Sequence, residues 1–318
     1  GSEMCIRDSM NILGLESLVF GVLDLDACHQ YLLDYGLNLV EKNERGGTYE
    51  ALDGGTVIFK LDTDPSLPKA NAPAPNIRET VYGVADQNEL DLIAAELSKD
   101  REVSVDDEGT IHSFDDSGFA IAFRITRKRK IVAPHVGINV PGQEPGRAVN
   151  ECGVLLEDHS KTPRSLSHVV YFVPDHKKAE AFYADRLGFI TTDRFINIGP
   201  FMRPAGLNEH HSLFLIQSFN PHMVGVNHFT FHFGSGYEVL RNGWEFAQKG
   251  YKSFWGPGRH IMGSNFFWYF NSPFGGTMEF DADMDLHDDN WTPRAMPMGS
   301  DASQVFLFDQ RKKWSPGE

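Results

Sequence analysis

Three side chains with metal-ligating chemistry, His168, His228 and Glu279, each stand alone in a short apolar run, within LSHVVYFV, VNHFTFHF and TMEFD respectively. Two neutral imidazoles and one carboxylate form the facial set that leaves coordination positions open on a divalent metal. That set suits Fe(II) oxygen chemistry, is accepted by Mn(II), and has zinc counterparts. Glu279 lies between Met278 and Phe280, so a strand there buries one face and points a lone carboxylate to the other, at a large cost unless something compensates it. A metal ion is such a partner. Any one of these histidines, taken alone, is more simply read as a hydrogen-bonded core residue; the set carries the metal reading.

The elements that must position these residues are strands. From Gly225 to Phe233 the residues Phe229, Phe231 and Phe233 alternate with His228, Thr230 and His232, a period of two with one greasy and one polar face. A helical zincin-like pair of His228 and His232 is disfavoured, because no Glu follows the first His and because Phe and Thr prefer strands. From Leu15 an apolar strand leads through a turn around Asp24 into a helix with Cys28, Tyr31, Leu32 and Tyr35 at helical spacing, capped by Gly36. Strands follow around Thr48 to Leu52 and Thr56 to Leu61, separated by the turn Asp53-Gly54-Gly55.

The same grammar recurs at Glu79 to Val84 (strand), Gln87 to Leu97 (helix), and Ile111 to Phe114 and Ala120 to Ile125 (strands). A third copy, LSHVVYFVPDHKKAEAFYADRLGFITT, lays Val170-Tyr171-Phe172-Val173 over Val19-Phe20-Gly21-Val22. A fourth runs from Gly225 through a helix near Tyr237 to Lys249 and on to the strands Phe266 to Phe270 and Thr277 to Phe280. The repeat predicts an α+β fold of four βαβββ modules paired into two domains. Residues 10–127 form a module pair without metal, 128–164 a Pro-, Gly- and charge-rich connection, 165–285 the catalytic pair with metal, and 286–318 a tail. Residues 1–9, GSEMCIRDS, precede a second methionine, Met10, and read as a non-native leader. In the N-terminal copies Ser17 stands where the third has His168, Glu79 or Thr80 where the fourth has His228, and Ala122 where it has Glu279. Only the C-terminal pair keeps ligands, which leaves the N-terminal half a structural or assembly role.

Composition narrows the function classes. The 318 residues are 41% hydrophobic with a formal charge of −15, and neither a basic stripe nor an Arg-rich arm is visible, so nucleic acid and anionic membrane are disfavoured as partners. No apolar run approaches the roughly 20 residues of a spanning helix. Three cysteines without a CxxC pair fit a reducing cytoplasm.

The motifs LSHVVYFV, NEHHSLFLI, VNHFTFHF and GPGRHIMGSNFFWYFNSPFGGTMEFD, in this order, resemble the type I extradiol ring-cleaving dioxygenases of the vicinal oxygen chelate superfamily. The resemblance is strongest from Ser165 to Asp285; the N-terminal half shares only the module architecture. It implies the glyoxalase-like fold, an Fe(II) centre with Mn(II) as the alternative, and His168, His228 and Glu279 as metal ligands. It implies His211 as the distal histidine that handles protons, with His210 beside it as the other candidate. His260 and Tyr269 match the pair that contacts a catecholic substrate, and Tyr269 precedes Glu279 by the family's spacing of ten. The implied reaction is ring cleavage of a catechol with O2. A catechol must lose a proton to chelate through both oxygens, and a nearby Tyr and His favour the ionised form.

A glyoxalase-like isomerase or lyase that does not use O2, and a non-enzymatic binding protein of the same superfamily, are the competing readings. A homo-oligomer is expected. Phe201, Met202, Phe254, Trp255 and Trp268 are candidates for an aromatic pocket, and Arg203 or Arg259 for meeting a substrate carboxylate. His232 reads as core or as support behind the ligands. The acidic run 281–289, DADMDLHDD, reads as a solvated loop, since it lacks the EF-hand glycine and terminal glutamate.

Overall fold

A computed structural model describes residues 10–154, 161–299 and 302–308; the segment 1–9, read above as a leader, lies outside the described residues. The fold is α+β, built as two mixed sheets from four modules. The first sheet comes from β1 (Ile12–Val22), α1 (Leu25–Tyr35), β2 (Asn38–Asn43), β3 (Gly46–Glu50), β4 (Thr56–Leu61), β5 (Asn76–Val84), α2 (Gln87–Leu97), β6 (Ser104–Val105), β7 (Ile111–Phe114) and β8 (Ala120–Ile125), in strand order β2-β3-β4-β1-β5-β8-β7-β6. The second comes from β9 (Ser165–Val173), α3 (His176–Ala181), β10 (Ile190–Phe195), β11 (Gly199–Arg203), β12 (Leu213–Gln217), β13 (Val226–His232), α4 (Gly236–Gln248), β14 (Ser253–His260), β15 (Phe266–Asn271), β16 (Thr277–Ala282), β17 (Arg294–Met296) and β18 (Gln304–Leu307). Its order is β17-β10-β11-β12-β9-β13-β16-β15-β14-β18.

Each module repeats one local device. A strand buried on both faces ends, and an Asp or Ser side chain caps the helix that follows: Asp24 accepts from Ala27 N, Asp86 from Glu89 N, Asp175 from Lys177 N and Ser235 from Glu238 N. Gly36 ends α1 at φ 113°, a left-handed conformation open to glycine and costly for other residues. Two modules then join edge to edge, with β1 antiparallel to β5 in one half and β9 antiparallel to β13 in the other.

Among the strands that the sequence reading did not name, β2 and β14 escaped it for clear physical reasons. β2 is exposed along its whole length at a sheet edge, so it carries no apolar alternation. β14 contains Gly256-Pro257-Gly258, which reads as a turn; there the pairing with β15 is irregular. Beyond residue 285 the chain returns to the sheet, with β17 parallel to β10 and β18 antiparallel to β14. The described residues of the connection, 128–154 and 161–164, hold no helix or strand.

One core cluster runs through both halves. Phe20 of β1 packs on Phe229 of β13 with ring centroids 4.8 Å apart, and Tyr35 of α1 packs on Phe280 of β16 at 4.3 Å. The polar face of Glu279's strand is thus opposed by an apolar back that the N-terminal half covers. The hydroxyl of Tyr35 donates to the Glu279 carbonyl at 2.5 Å, and Thr230 Oγ1 donates to the same oxygen at 2.7 Å.

Sheet register aligns the two halves residue by residue. His168 faces Thr230, Thr230 faces Glu279, and Glu279 faces Tyr269. In the N-terminal sheet the corresponding chain is Ser17, Val81, Ala122 and His112. Since His228 lies two residues before Thr230, its counterpart is Glu79, two before Val81, which settles the choice between Glu79 and Thr80. There the carboxylate position holds a methyl group, and Glu79 instead pairs with His112 at 2.7 Å, whose other nitrogen is 3.1 Å from Asp106. The hydrogen bond to Glu79, against the opposing effect of burial and with help from Asp106, raises the His112 imidazole to about 9.

Two expectations follow. Tyr35→Phe should lower stability by about 1 kcal/mol, the net worth of one hydrogen bond, with an unchanged urea m-value; an unmoved midpoint would mean that Thr230 alone satisfies the carbonyl. Because His112 is raised in the folded state, its stabilisation is complete below the ordinary histidine range of about 6.5 and is lost as pH climbs through about 9. His112→Asn should therefore flatten the fall in urea stability across that window, and a variant with the wild-type slope would count against the pair.

Candidate metal centre

His168, His228 and Glu279 project from three adjacent strands, β9, β13 and β16, onto the same face of the second sheet. The strand alternation read in the sequence holds: Phe229, Phe231 and Phe233 go to the core. His228 goes to the other face, where all three ligand-type residues are buried and their donor atoms lie within 4.8 Å of one another. His168 Nε2 is 3.3 Å from His228 Nε2 and 3.1 Å from Glu279 Oε2; His228 Nε2 is 3.6 Å from the same oxygen.

Supporting hydrogen bonds fix where the ring protons sit. Asn227 Oδ1 only accepts, so its 2.5 Å contact places the His228 proton on Nδ1. Ser167 Oγ donates to Asp281 Oδ2 at 3.1 Å and therefore accepts from His168 Nδ1 at 2.9 Å. Both Nε2 atoms then face each other as lone pairs beside a carboxylate neither of whose oxygens accepts a hydrogen bond. Three electron-pair donors turned inward, with no proton between them, fit a divalent cation and nothing already in the protein.

Burial pushes the His228 imidazole down to about 3, keeping it neutral as a ligand must be. Behind His168 stands Asp281, on the same face of β16 as Glu279 and fully buried. Asp281 pairs with His232 Nδ1 at 2.6 Å, and His232 Nε2 reaches Glu209 at 3.1 Å. Although burial opposes it, these two carboxylates raise His232 well above the ordinary histidine range.

The acidic run 281–289 therefore needs correction. Asp281 is a buried strand residue, and His287 is buried with its ring stacked on Trp291 at 3.9 Å; Asp283, Asp288 and Asp289 are exposed, as a solvated loop requires. The signal was present, since Asp281 falls two positions after Glu279 in an alternating strand.

The remaining candidates surround a cavity above the three ligands. His211 lines it, its ring centroid 4.2 Å from that of His168, and burial, reinforced by neighbouring imidazoles, keeps it well below the ordinary range. His210 does not line it; its Nδ1 touches His211 Nδ1 at 2.9 Å and its Nε2 touches Asp193 Oδ2 at 2.9 Å. Burial lowers His210 despite the pull of Asp193, so this ring too is neutral. On the other side His260 Nε2 and Tyr269 Oη meet at 3.1 Å, with Trp255 stacked on Tyr269 and Phe267 on His260.

Phe201, Phe254 and Trp255 line the cavity as expected, joined by Phe195, Phe214 and Met262. Met202 and Trp268 do not: Met202 is in the main core, and Trp268 packs against it with its indole donating to Ser253. Neither arginine reaches the cavity. Arg203 binds Asp289 and the Leu207 carbonyl, and Arg259 binds Asp283 and the Ser264 carbonyl. Among the described residues the cavity wall carries no Lys or Arg.

Residues 165–280 match the Glyoxalase/Bleomycin resistance protein/Dioxygenase superfamily. A metapyrocatechase from Cupriavidus necator is 30% identical over 212 residues, which is 66% of this chain; the match spans 62% of that relative's length. Among solved structures, a Mn(II)-bound glyoxalase from Novosphingobium aromaticivorans superposes with a TM-score of 0.73 at 18% identity, covering 96% of this chain and 97% of the other. A 2,3-dioxygenase from Pseudomonas sp. KL28 gives 0.71 at 16% identity, over 91% and 98%. Residues 165–280 thus match the model of the glyoxalase/bleomycin resistance protein/dioxygenase superfamily, the chain is similar over 66% of its length to a metapyrocatechase, and it shares the paired-module fold of these solved structures throughout.

Proposed function

We propose that this chain is an extradiol dioxygenase that opens the ring of a catecholic substrate with O2, at an Fe(II) centre held by His168, His228 and Glu279, with Mn(II) as the alternative ion. One observation carries this reading. Of the three clustered donors His168 and His228 line an aromatic-walled cavity, with Glu279 beside them, and that cavity also presents a proton-handling His211 on one side and the His260–Tyr269 pair on the other. The homology to a metapyrocatechase supports it. The metal, when bound, supplies Lewis acidity for two vicinal substrate oxygens and a path for electrons to O2.

The chain's own residues do the rest. Phe195, Phe201, Phe214, Trp255 and Met262 exclude water and flank an aromatic ring. Tyr269 and His260 hydrogen-bond a substrate oxygen and favour its ionised form. His211 takes up the proton that the substrate loses and returns it to the oxygen chemistry. Both atoms of O2 enter the ring-opened product, so no further reductant is required.

The decisive experiment is an aerobic assay of the metal-reconstituted protein against a catechol panel, following O2 uptake and yellow ring-fission products. Conversion of a substrate without O2 consumption would instead establish a glyoxalase-like isomerase, and binding without turnover a binding protein.

His168→Ala, His228→Ala or Glu279→Ala should each lose more metal affinity than the about 10- to 100-fold typical of removing a supporting partner, and Asp281→Ala should lose an amount within that range. Elemental analysis after dialysis measures this, and stoichiometric metal in any of the three ligand variants would refute the assignment. His211→Phe should keep its metal and bind catechol anaerobically while turnover falls by about a hundredfold to ten-thousandfold. Full activity in that variant would make His211 a bystander.

A further inference from the structure

We propose that His210 and Asp193 are positioning residues that determine which ring nitrogen of His211 carries its proton, presenting Nε2 of His211 as a proton acceptor. This inference rests on the reading above that His211 does acid–base work. Asp193 lies in β10 and is fully buried. Its carboxylate can only accept, so the 2.9 Å contact to His210 Nε2 places the His210 proton on that atom. A neutral imidazole has one N–H, so His210 Nδ1 is left as a lone pair. A hydrogen bond across the 2.9 Å gap to His211 Nδ1 then requires the His211 proton to sit on Nδ1. The lone pair of His211 falls on Nε2, ready to accept.

The relay is held at its far end by the segment beyond residue 285. Arg294 stands opposite Asp193 in the β10–β17 pairing, donates its backbone N–H to Oδ1 at 2.7 Å, and places its guanidinium 2.6 Å from Oδ2. The His210 backbone is pinned as well, its carbonyl accepting from Thr192 Oγ1 at 2.6 Å and its N–H donating to the Asp285 carbonyl at 2.9 Å. The hydrogen bonds converge on Asp193, which accepts from a permanently charged guanidinium on one side and, through His210, from two neutral rings on the other. A short strand added at the sheet edge thus orients a side chain two residues removed from it in the hydrogen-bond chain.

The test uses full-length, metal-free protein with isotope-labelled histidine, read by nitrogen NMR, which distinguishes protonated from bare ring nitrogens. In the wild type His211 should show a protonated Nδ1 and a bare Nε2; the reverse pattern overturns the proposal outright, whatever the variants do. His210→Phe, which removes the acceptor, should lose this pattern, while His210→Asn, whose amide oxygen lies near the former Nδ1, should keep it. In ring-cleavage assays kcat of His210→Phe should fall by about a hundredfold, the scale of misplacing a catalytic group, with KM little changed. His210→Asn should recover most of that loss. An unchanged spectrum in His210→Phe, or equal impairment of both variants, would also overturn the proposal. Should the His210 variants fail to fold, Asp193→Asn (pattern kept) and Asp193→Leu (pattern lost) read the same link. The spectra need neither metal nor substrate, so a wild type that cleaves no catechol would refute the activity while leaving the tautomer result standing.

Discussion

A carboxylate buried in a strand core, with no hydrogen bond to either oxygen and two imidazole lone pairs beside it, is the constraint on which the second half of this protein is built. Left uncompensated, that arrangement would cost several kcal/mol. Much of the surrounding structure serves to keep Glu279 from relaxing away. Its carbonyl is fixed by two hydroxyls, Tyr35 from the opposite half and Thr230 from the neighbouring strand, and its strand is backed by the Tyr35–Phe280 contact. The N-terminal half therefore has a physical task even without ligands of its own: it supplies the apolar back against which the ligand strand is pressed.

The N-terminal modules show what the same architecture does when the constraint is lifted. Ala122 occupies the Glu279 position, and the polar groups that remain satisfy one another, Glu79 with His112 and Ser17 with Thr56. Three ligand-type positions have become a hydrogen bond and an ion pair. The difference between the halves is local: one carboxylate replaced by a methyl group removes the need for a cation, and the neighbouring side chains close the space by pairing. An ion pair of this kind titrates, whereas a metal set holds its histidines neutral, so the two halves differ in their response to pH as well.

Local pattern made the module order, the helices and the three residues that cluster on one sheet face legible in the sequence, because each depends on short-range period or on a polar residue standing out in an apolar strand. The supporting residues were harder to see. Asp281 looked like the start of an acidic loop because its neighbours Asp283, Asp288 and Asp289 are exposed; only the strand phase set by Glu279 separates it from them. Asp193 and Arg294 lie about a hundred residues apart and meet through a parallel edge pairing that no local pattern encodes. The choice between His210 and His211 was open for the same reason. The two adjacent histidines lie just before β12, where no strand phase separates them: His211 lines the cavity, whereas His210 meets Asp193. Arg203 and Arg259 looked available to a substrate because the partners that bind them, Asp289 and Asp283, are distant in sequence.

Charge balance explains why the support behind His168 takes the form of an ion cluster. Glu279, Asp281 and Glu209 carry three formal negative charges, and His232, held protonated between the last two, carries one positive charge. The group sums to −2, which a divalent cation brings to zero. A neutral His232 would leave the loaded cluster at −1 within a largely buried region, and an uncharged residue in place of Asp281 would leave it at +1. Either imbalance would be poorly screened there. His232 was legible only as a polar residue on the right face of β13; its role comes from standing between two carboxylates, one on β16 and one in the loop before His210. In the proposed reading the three side chains behind Glu279 thus match the site to an ion of charge two without touching it, and Tyr269 and His260 beside the cavity are left to favour the substrate's ionised form.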